Sequence, residues 1–269
     1  MVKTAIVIEA SRGIGRSIAK RLAEDGFAVV VNYSTDAHEA RETVAEIAES
    51  GGQAVALQAD LNRQEELKQL FDGSLKEFGR IDVVVSNVGV MDSSPISRGD
   101  VEAFDEMIRT NLRGAFLLFV QAASHIVDGG RIIAFSSDGV GTAPAEYGAY
   151  VASKAGVEGL VRVLAKELRK RHVSVNAVAL GSAATDHYVP AKGREEAAPA
   201  GDVSPSEEIG ETHDILHVVS FLAGPDGGWA TGQVIPVTGG RQERTEAMPA
   251  GVCSVRAGEG KGATHVHAR

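Results

Sequence analysis

Short apolar runs alternate with amphipathic stretches from residue 3 to about residue 240, and no linker interrupts them. Thr4–Ile8, Ala28–Val31, Ala54–Leu57, Ile81–Val85, Arg131–Phe135, Val173–Val178 and Val234–Val237 read as strands. Between them Ile14–Asp25, Ala37–Glu49, Glu65–Phe78, Val101–Leu112, Gly114–Ile126, Tyr150–Lys170 and Ile215–Leu222 read as helices. Gly51-Gly52 ends the second helix in the manner of a C-cap. Strands separated by helices require right-handed crossovers, and therefore a parallel sheet covered on both faces. The Val/Ile runs are nearly continuous, as expected of strands buried on both sides. The expected fold is α/β, a doubly wound parallel sheet of about seven strands. It forms a single domain over residues 1–241. Two segments break the pattern. Residues 183–210 are polar and rich in Pro, Ala and Glu, which suits a lid over a cleft. Residues 242–269 show little periodicity and are expected to be a disordered extension.

Composition narrows the function. The 269 residues are 43% apolar, enough for a sizeable core, and carry a net charge of −9. That balance leaves no basic face for nucleic acid and argues against adhesion to anionic membranes. No apolar run approaches the roughly 20 residues that span a bilayer, and the N-terminus enters a strand pattern without a charged leader. Cys253 is the only cysteine, so no internal disulfide can form and a cytoplasmic setting is expected. His265 and His267 lack a full coordination set, and no metal is expected.

Three residues suggest chemistry. Tyr150 and Lys154 stand four apart, so phenol and ammonium share a helix face. A cation beside a phenol is expected to lower its pKa and let it exchange a proton with a substrate oxygen. Ser137 follows the fifth apolar run, at the carboxyl end of a strand, where open α/β sheets bind ligands. Upstream, Ser11-Arg12-Gly13-Ile14-Gly15 joins the first strand to the first helix. Glycines there let backbone approach a pyrophosphate, which the helix N-terminus attracts.

With these marks in order, residues 3 to 240 resemble the short-chain dehydrogenase/reductase family, of the compact single-domain, Rossmann-like kind, and are similar to its 3-oxoacyl-thioester (acyl carrier protein) reductases. The family's cofactor turn is Thr-Gly-x-x-x-Gly-x-Gly. Here Ile8 and Glu9 replace the Thr and the first Gly, and Glu9 puts bulk and negative charge near an anionic cofactor. The resemblance implies that Asn111, Ser137, Tyr150 and Lys154 are catalytic, with Asn111 anchoring a water linked to Lys154. It implies that Asp60 and Leu61 hold adenine, and that Ser86-Asn87-Val88-Gly89 corresponds to Asn-Asn-Ala-Gly, placing Asn87 and Gly89 at the cofactor. Leu180-Gly181 stands where Pro-Gly is usual, Thr185 matches a hydroxyl at the carboxamide end, and Gly232-Gln233 and Gly239-Gly240 match the last-strand region. Tyr150 and Lys154 also face the cofactor in the family.

The second strand ends in Val31-Asn32-Tyr33-Ser34, with Asn32 near the place where an acid would hold a ribose 2′-hydroxyl. The missing acid, and Arg12 as a fork for a 2′-phosphate, lead to an expectation of NADP(H) over NAD(H). The expected activity is hydride transfer between that cofactor and a small-molecule carbonyl or alcohol, a 3-oxoacyl thioester or related ketone. Sugar, polyol or xenobiotic ketones are the alternative substrates. A catalytically impaired binding or assembly protein is the alternative role, because of Ile8 and Glu9. The family habit of pairing long helices implies a homo-oligomer, a tetramer or dimer, using residues such as Phe116, Leu117, Leu160 and Leu164.

Overall fold

A computed structural model of the chain describes residues 1–181 and 212–239. Seven strands form one parallel sheet in the order β3-β2-β1-β4-β5-β6-β7. They are β1 (Thr4–Val7), β2 (Ala28–Tyr33), β3 (Gln53–Gln58), β4 (Val83–Ser86), β5 (Arg131–Ser137), β6 (Ser174–Leu180) and β7 (Val234–Val237). The helices are α1 (Gly13–Glu24), α2 (Ala37–Glu49), α3 (Gln64–Phe78), α4 (Val101–Met107), α5 (Gly114–His125), the short α6 (Gly139–Thr142), α7 (Gly148–Glu167) and α8 (Thr212–Ala223). This is the expected doubly wound, Rossmann-like sheet. The strand order reverses between β1 and β4, so their carboxyl ends open a crevice for a ligand.

Alternation along each strand sends side chains to two separate cores. Ile6, Val84, Ile132 and Ala134 meet Leu67, Leu70 and Phe71 of α3, Leu118 and Phe119 of α5, and Val157 and Val161 of α7. Ala5, Val7, Val83, Val85 and Ile133 meet Ile18 and Leu22 of α1, Ile47 of α2, and Val219 and Leu222 of α8. The Asp36 carboxylate accepts from the N–H groups of His38 and Glu39 and so caps α2. Gly79 ends α3 in the left-handed region, at φ 78°.

Strand ends shift by one or two residues from the sequence reading, and three departures bear on the site. β5 runs on through Ser136 and Ser137, which pair with Ala179 and Leu180, because ladder pairing depends on backbone and not on apolarity. The two helices expected over 101–126 are one continuous helical run, with a π-helical segment at Ile108–Arg113 between α4 and α5. The long helix expected from Tyr150 to Lys170 starts at Gly148 and stops at Glu167, followed by a 3-10 turn at Arg169–Arg171. The segments expected to form a lid (183–210) and an extension (242–269) lie outside the described residues, as do Thr185 and Gly240. Among the described residues, no helix is long and apolar enough to cross a membrane.

Phe71 is fully buried between α3 and the sheet. Phe71→Ala should cost about 3–5 kcal/mol through lost burial and the residual cavity, read as a lower urea midpoint at unchanged m-value. A loss well under 1 kcal/mol would mean that this core collapses freely onto the gap.

Candidate active site

The phosphate turn is stitched to two neighbouring strand ends. The Ala10 N–H donates to the Asn32 carbonyl at 2.8 Å, and the Glu9 N–H donates to Asn32 Oδ1 at 3.3 Å. Asn32 is fully buried, and its Nδ2 donates to the carbonyls of Leu57 and Ala59. Its amide therefore ties β1, β2 and β3 together. From β4, Asn87 Nδ2 donates to the Glu9 carbonyl at 3.3 Å. A Cβ on Gly15 would lie 2.1 Å from that same carbonyl oxygen, so glycine is required there to let α1 approach the turn. Gly13 takes φ 55°. No side chain caps the first turn of α1, which leaves its N-terminal N–H groups for an anion. Ser11, buried in the turn, has its carbonyl bound by the Thr43 hydroxyl at 3.2 Å. Arg12 is exposed at the edge. These features fit the diphosphate of a dinucleotide.

Glu9 is the exception in this turn. It adopts φ 51°, a left-handed conformation that glycine takes without strain and other residues rarely do. Burial raises its carboxyl pKa above the ordinary value, while a hydrogen bond with the Ser34 side chain and the Arg12 charge pull it down and the Asp60 charge raises it. Asp60 itself shapes the following turn, its Oδ1 accepting from the Asn62 N–H at 2.9 Å, and Leu61 is buried in the core.

On the other side of the crevice stand the remaining predicted residues. Ser137, at the end of β5, accepts from the Gly139 N–H at 3.1 Å, and its side chain is close enough to the Tyr150 phenol to lower that group's pKa. Tyr150, near the start of α7, turns back toward β5. One turn on, Lys154 is 4% exposed, and its Nζ donates to the Val88 carbonyl at 2.8 Å and the Phe135 carbonyl at 3.1 Å. A Cβ on Gly89 would meet Lys154 Nζ at 3.0 Å, so the glycine leaves the ammonium its space. Asn111, in the π segment, accepts from the Val90 N–H at 2.8 Å and donates to the Val90 carbonyl at 2.8 Å and to Ser153 Oγ at 3.0 Å. It pins the loop after β4 beside α7. Gly181 follows β6 and packs against Thr238; a Cβ there would lie 3.0 Å from the Thr238 Cα.

One expectation is corrected here. The phenol was expected to be acidified by its ammonium neighbour. Instead burial raises the Tyr150 pKa, the Ser137 hydrogen bond partly offsets this, and the Asp138 charge adds to the rise. Lys154 Nζ lies 5.8 Å from the centre of the Tyr150 ring, and its hydrogen bonds go to carbonyls. Its own pKa is pushed down to about 8 by burial. Sequence reading also passed over Ser153 and Ser34. Ser153 adjoins Lys154 and Ser34 follows β2, but neither carries a motif; only the fold shows that one touches Asn111 and the other Glu9.

The loop after β4 exposes apolar side chains alongside Asp92 and Ser93. Val90, Met91 and Ile96 are exposed, at 40%, 59% and 83%. A Cβ on Gly148, at the start of α7, would touch Ile96 Cδ1 at 2.8 Å, and the Ser94 N–H donates to the Glu146 carbonyl. The loop after β4 therefore lies along the entrance to Tyr150. Among the described residues no cluster of His, Cys, Asp and Glu could hold a metal ion.

The enoyl-(acyl carrier protein) reductase family model matches residues 8–242. A "short-chain type dehydrogenase/reductase" of Picea abies is 41% identical over 251 residues, covering 89% of this chain and 92% of that protein. A "hydroxynaphthalene reductase-like protein" of Metarhizium brunneum is 38% identical over 257 residues, covering 88% and 94%. The crystal structure of an angucycline C-6 ketoreductase with bound NADP superposes with a TM-score of 0.83 at 34% identity, covering 89% of this chain and 95% of that one. With its parallel seven-stranded sheet and its crevice at the β1/β4 reversal, this chain belongs to the short-chain dehydrogenase/reductase family.

Proposed function

We propose that this chain transfers a hydride between NADP(H) and a carbonyl/secondary-alcohol pair carried on an apolar body, such as a 3-oxoacyl thioester or a related ketone. The observation that carries this reading is the convergence of Ser137, Tyr150 and Lys154 at the carboxyl edge of the sheet, beside the diphosphate turn. When bound, the nicotinamide supplies or accepts the hydride. In the reducing direction the Ser137 hydroxyl donates a hydrogen bond to the substrate oxygen and polarises the carbonyl. A phenol with a raised pKa is fully protonated near neutral pH, so Tyr150 is ready to donate its proton to that oxygen. Lys154, still mostly protonated at neutral pH, favours the phenolate left behind and holds the nicotinamide ribose. Asn111 keeps the Val90 loop in register with Lys154.

The apolar rim of Val90, Met91 and Ile96 supports an apolar substrate over a sugar or polyol. The Metarhizium and angucycline relatives, both named for reduction, support a carbonyl. Arg12 and the absence of an acid at the end of β2 support NADP(H), as does the NADP bound to the ketoreductase. Exposed Phe104, Phe116 and Val120 on the α4–α5 run and Val163 on α7 support a homo-oligomer, a dimer or tetramer. The single cysteine fits a cytoplasmic setting. The rival reading, an impaired enzyme kept for binding or assembly, draws on Glu9. A chain that binds neither NADPH nor NADH would favour it.

Tyr150→Phe should reduce turnover of apolar ketones by about 10²–10⁴-fold while leaving NADPH affinity within about threefold; normal turnover would remove Tyr150 from this role. Lys154 gives a test independent of substrate. Its folded pKa of about 8 lies below the ordinary 10.5. Between those values the unfolded chain holds the proton and the folded chain does not, so this group makes stability rise with pH across that window. In Lys154→Met, urea unfolding should lack that rise. A variant that keeps the wild-type pH profile would show that the ammonium is better solvated than its 4% exposure implies.

A further inference from the structure

The end of β2 bears no acidic residue, but the phosphate turn hydrogen-bonded to it carries one. That residue is Glu9. Its backbone is tied to Asn32 of β2 by the bond from its own N–H at 3.3 Å, and Ala10 is tied to the same residue at 2.8 Å. Its φ of 51° is left-handed, and Ser34, the residue that follows β2, is the polar side chain that lowers its carboxyl pKa. In dinucleotide crevices of this topology, the end of the second strand is where the adenosine ribose 2′-substituent is read. A carboxylate accepts a hydrogen bond from a 2′-hydroxyl and repels a 2′-phosphate. Arg12, the cation placed to attract that phosphate, acts on the same carboxylate.

We propose that Glu9 supplies from the phosphate turn the carboxylate that β2 lacks, and that it narrows the preference for NADP(H) over NAD(H) that Arg12 creates. The inference rests on the nicotinamide-binding reading above and assigns dinucleotide choice to a position outside β2. Its action depends on charge. The charged groups acting on the carboxyl are Arg12 at the start of α1 and Asp60 after β3; Ser34 after β2 is neutral, and Asn87 after β4 bonds only the Glu9 backbone carbonyl. Burial keeps a proton on Glu9 to a higher pH than usual, so discrimination against a 2′-phosphate grows as pH rises through its titration.

The test uses adenosine fragments that lack nicotinamide, so no turnover is needed. Calorimetric affinities for 2′,5′-ADP and 5′-ADP are measured on the full chain and on Glu9→Gln, Glu9→Gly and Arg12→Gln. Glu9→Gln should tighten 2′,5′-ADP by about 10-fold, the scale of removing one like charge from a partly desolvated site, and change 5′-ADP by less than about threefold. Arg12→Gln should weaken 2′,5′-ADP alone. The free 2′-phosphate titrates identically in both experiments, so the part of the wild-type pH dependence that Glu9→Gln lacks is the part that comes from the carboxyl and its effect on the bound phosphate. The proposal is overturned if Glu9→Gln leaves the ratio of the two affinities unchanged. It is equally overturned if Glu9→Gly tightens both fragments alike while Glu9→Gln alters neither, the signature of steric obstruction. If folded wild type and variants bind neither fragment, NADPH nor NADH, the nicotinamide-binding reading falls too.

Discussion

A buried ammonium organises the crevice. Lys154 is almost wholly removed from water, and a charge in that position is tolerated only where oxygen atoms replace its hydration. Two carbonyls do so, one from Val88 just beyond β4 and one from Phe135 within β5. Because β4 and β5 are neighbours in the sheet, these two bonds fix where α7 crosses them and in which rotation. That rotation carries Tyr150, one turn earlier on the same face, to the end of β5 where Ser137 waits. Gly89 and Asn111 serve the same arrangement. The first leaves room for the ammonium, and the second holds the loop after β4 through both hydrogen bonds to the Val90 backbone.

The opposite wall follows another constraint, the crowding of three strand ends around one turn. The Glu9 carbonyl lies where a Cβ on Gly15 would have to go, and it also takes the Asn87 amide. The backbone there is thus committed to the left-handed form whatever side chain it bears. Glycine would meet that demand at no steric cost, whereas this chain meets it with glutamate and accepts local strain of about 1–3 kcal/mol. That strained residue is held by its backbone against the end of β2.

Much of this architecture was legible beforehand. The seven apolar runs became the seven strands, because a strand buried on both faces must be apolar at nearly every position. What escaped was whatever depends on backbone alone. The π segment at Ile108–Arg113 carries the helix through Arg113 and Gly114, where the pattern of residues broke it into two. Ser136 and Ser137 extend β5 because β6 lies beside them, not because of their polarity. Asn32, expected to face a cofactor, is drawn into the sheet by backbone carbonyls of β3 and its flank.

The candidate site divides along the same line. Residue order alone determined the sheet class and which helix would carry a phenol and an ammonium on one face, since both follow from periodicity along the chain. The family resemblance, not periodicity, marked position 9 as anomalous. Only tertiary structure decided the protonation chemistry, because desolvation depends on atoms far apart in sequence. Burial, not the neighbouring ammonium, dominates the Tyr150 phenol, and burial is what loosens the proton on Lys154. Likewise, that Glu9 is tied to Asn32 is a consequence of β1 and β2 lying side by side, a proximity no local pattern of residues records.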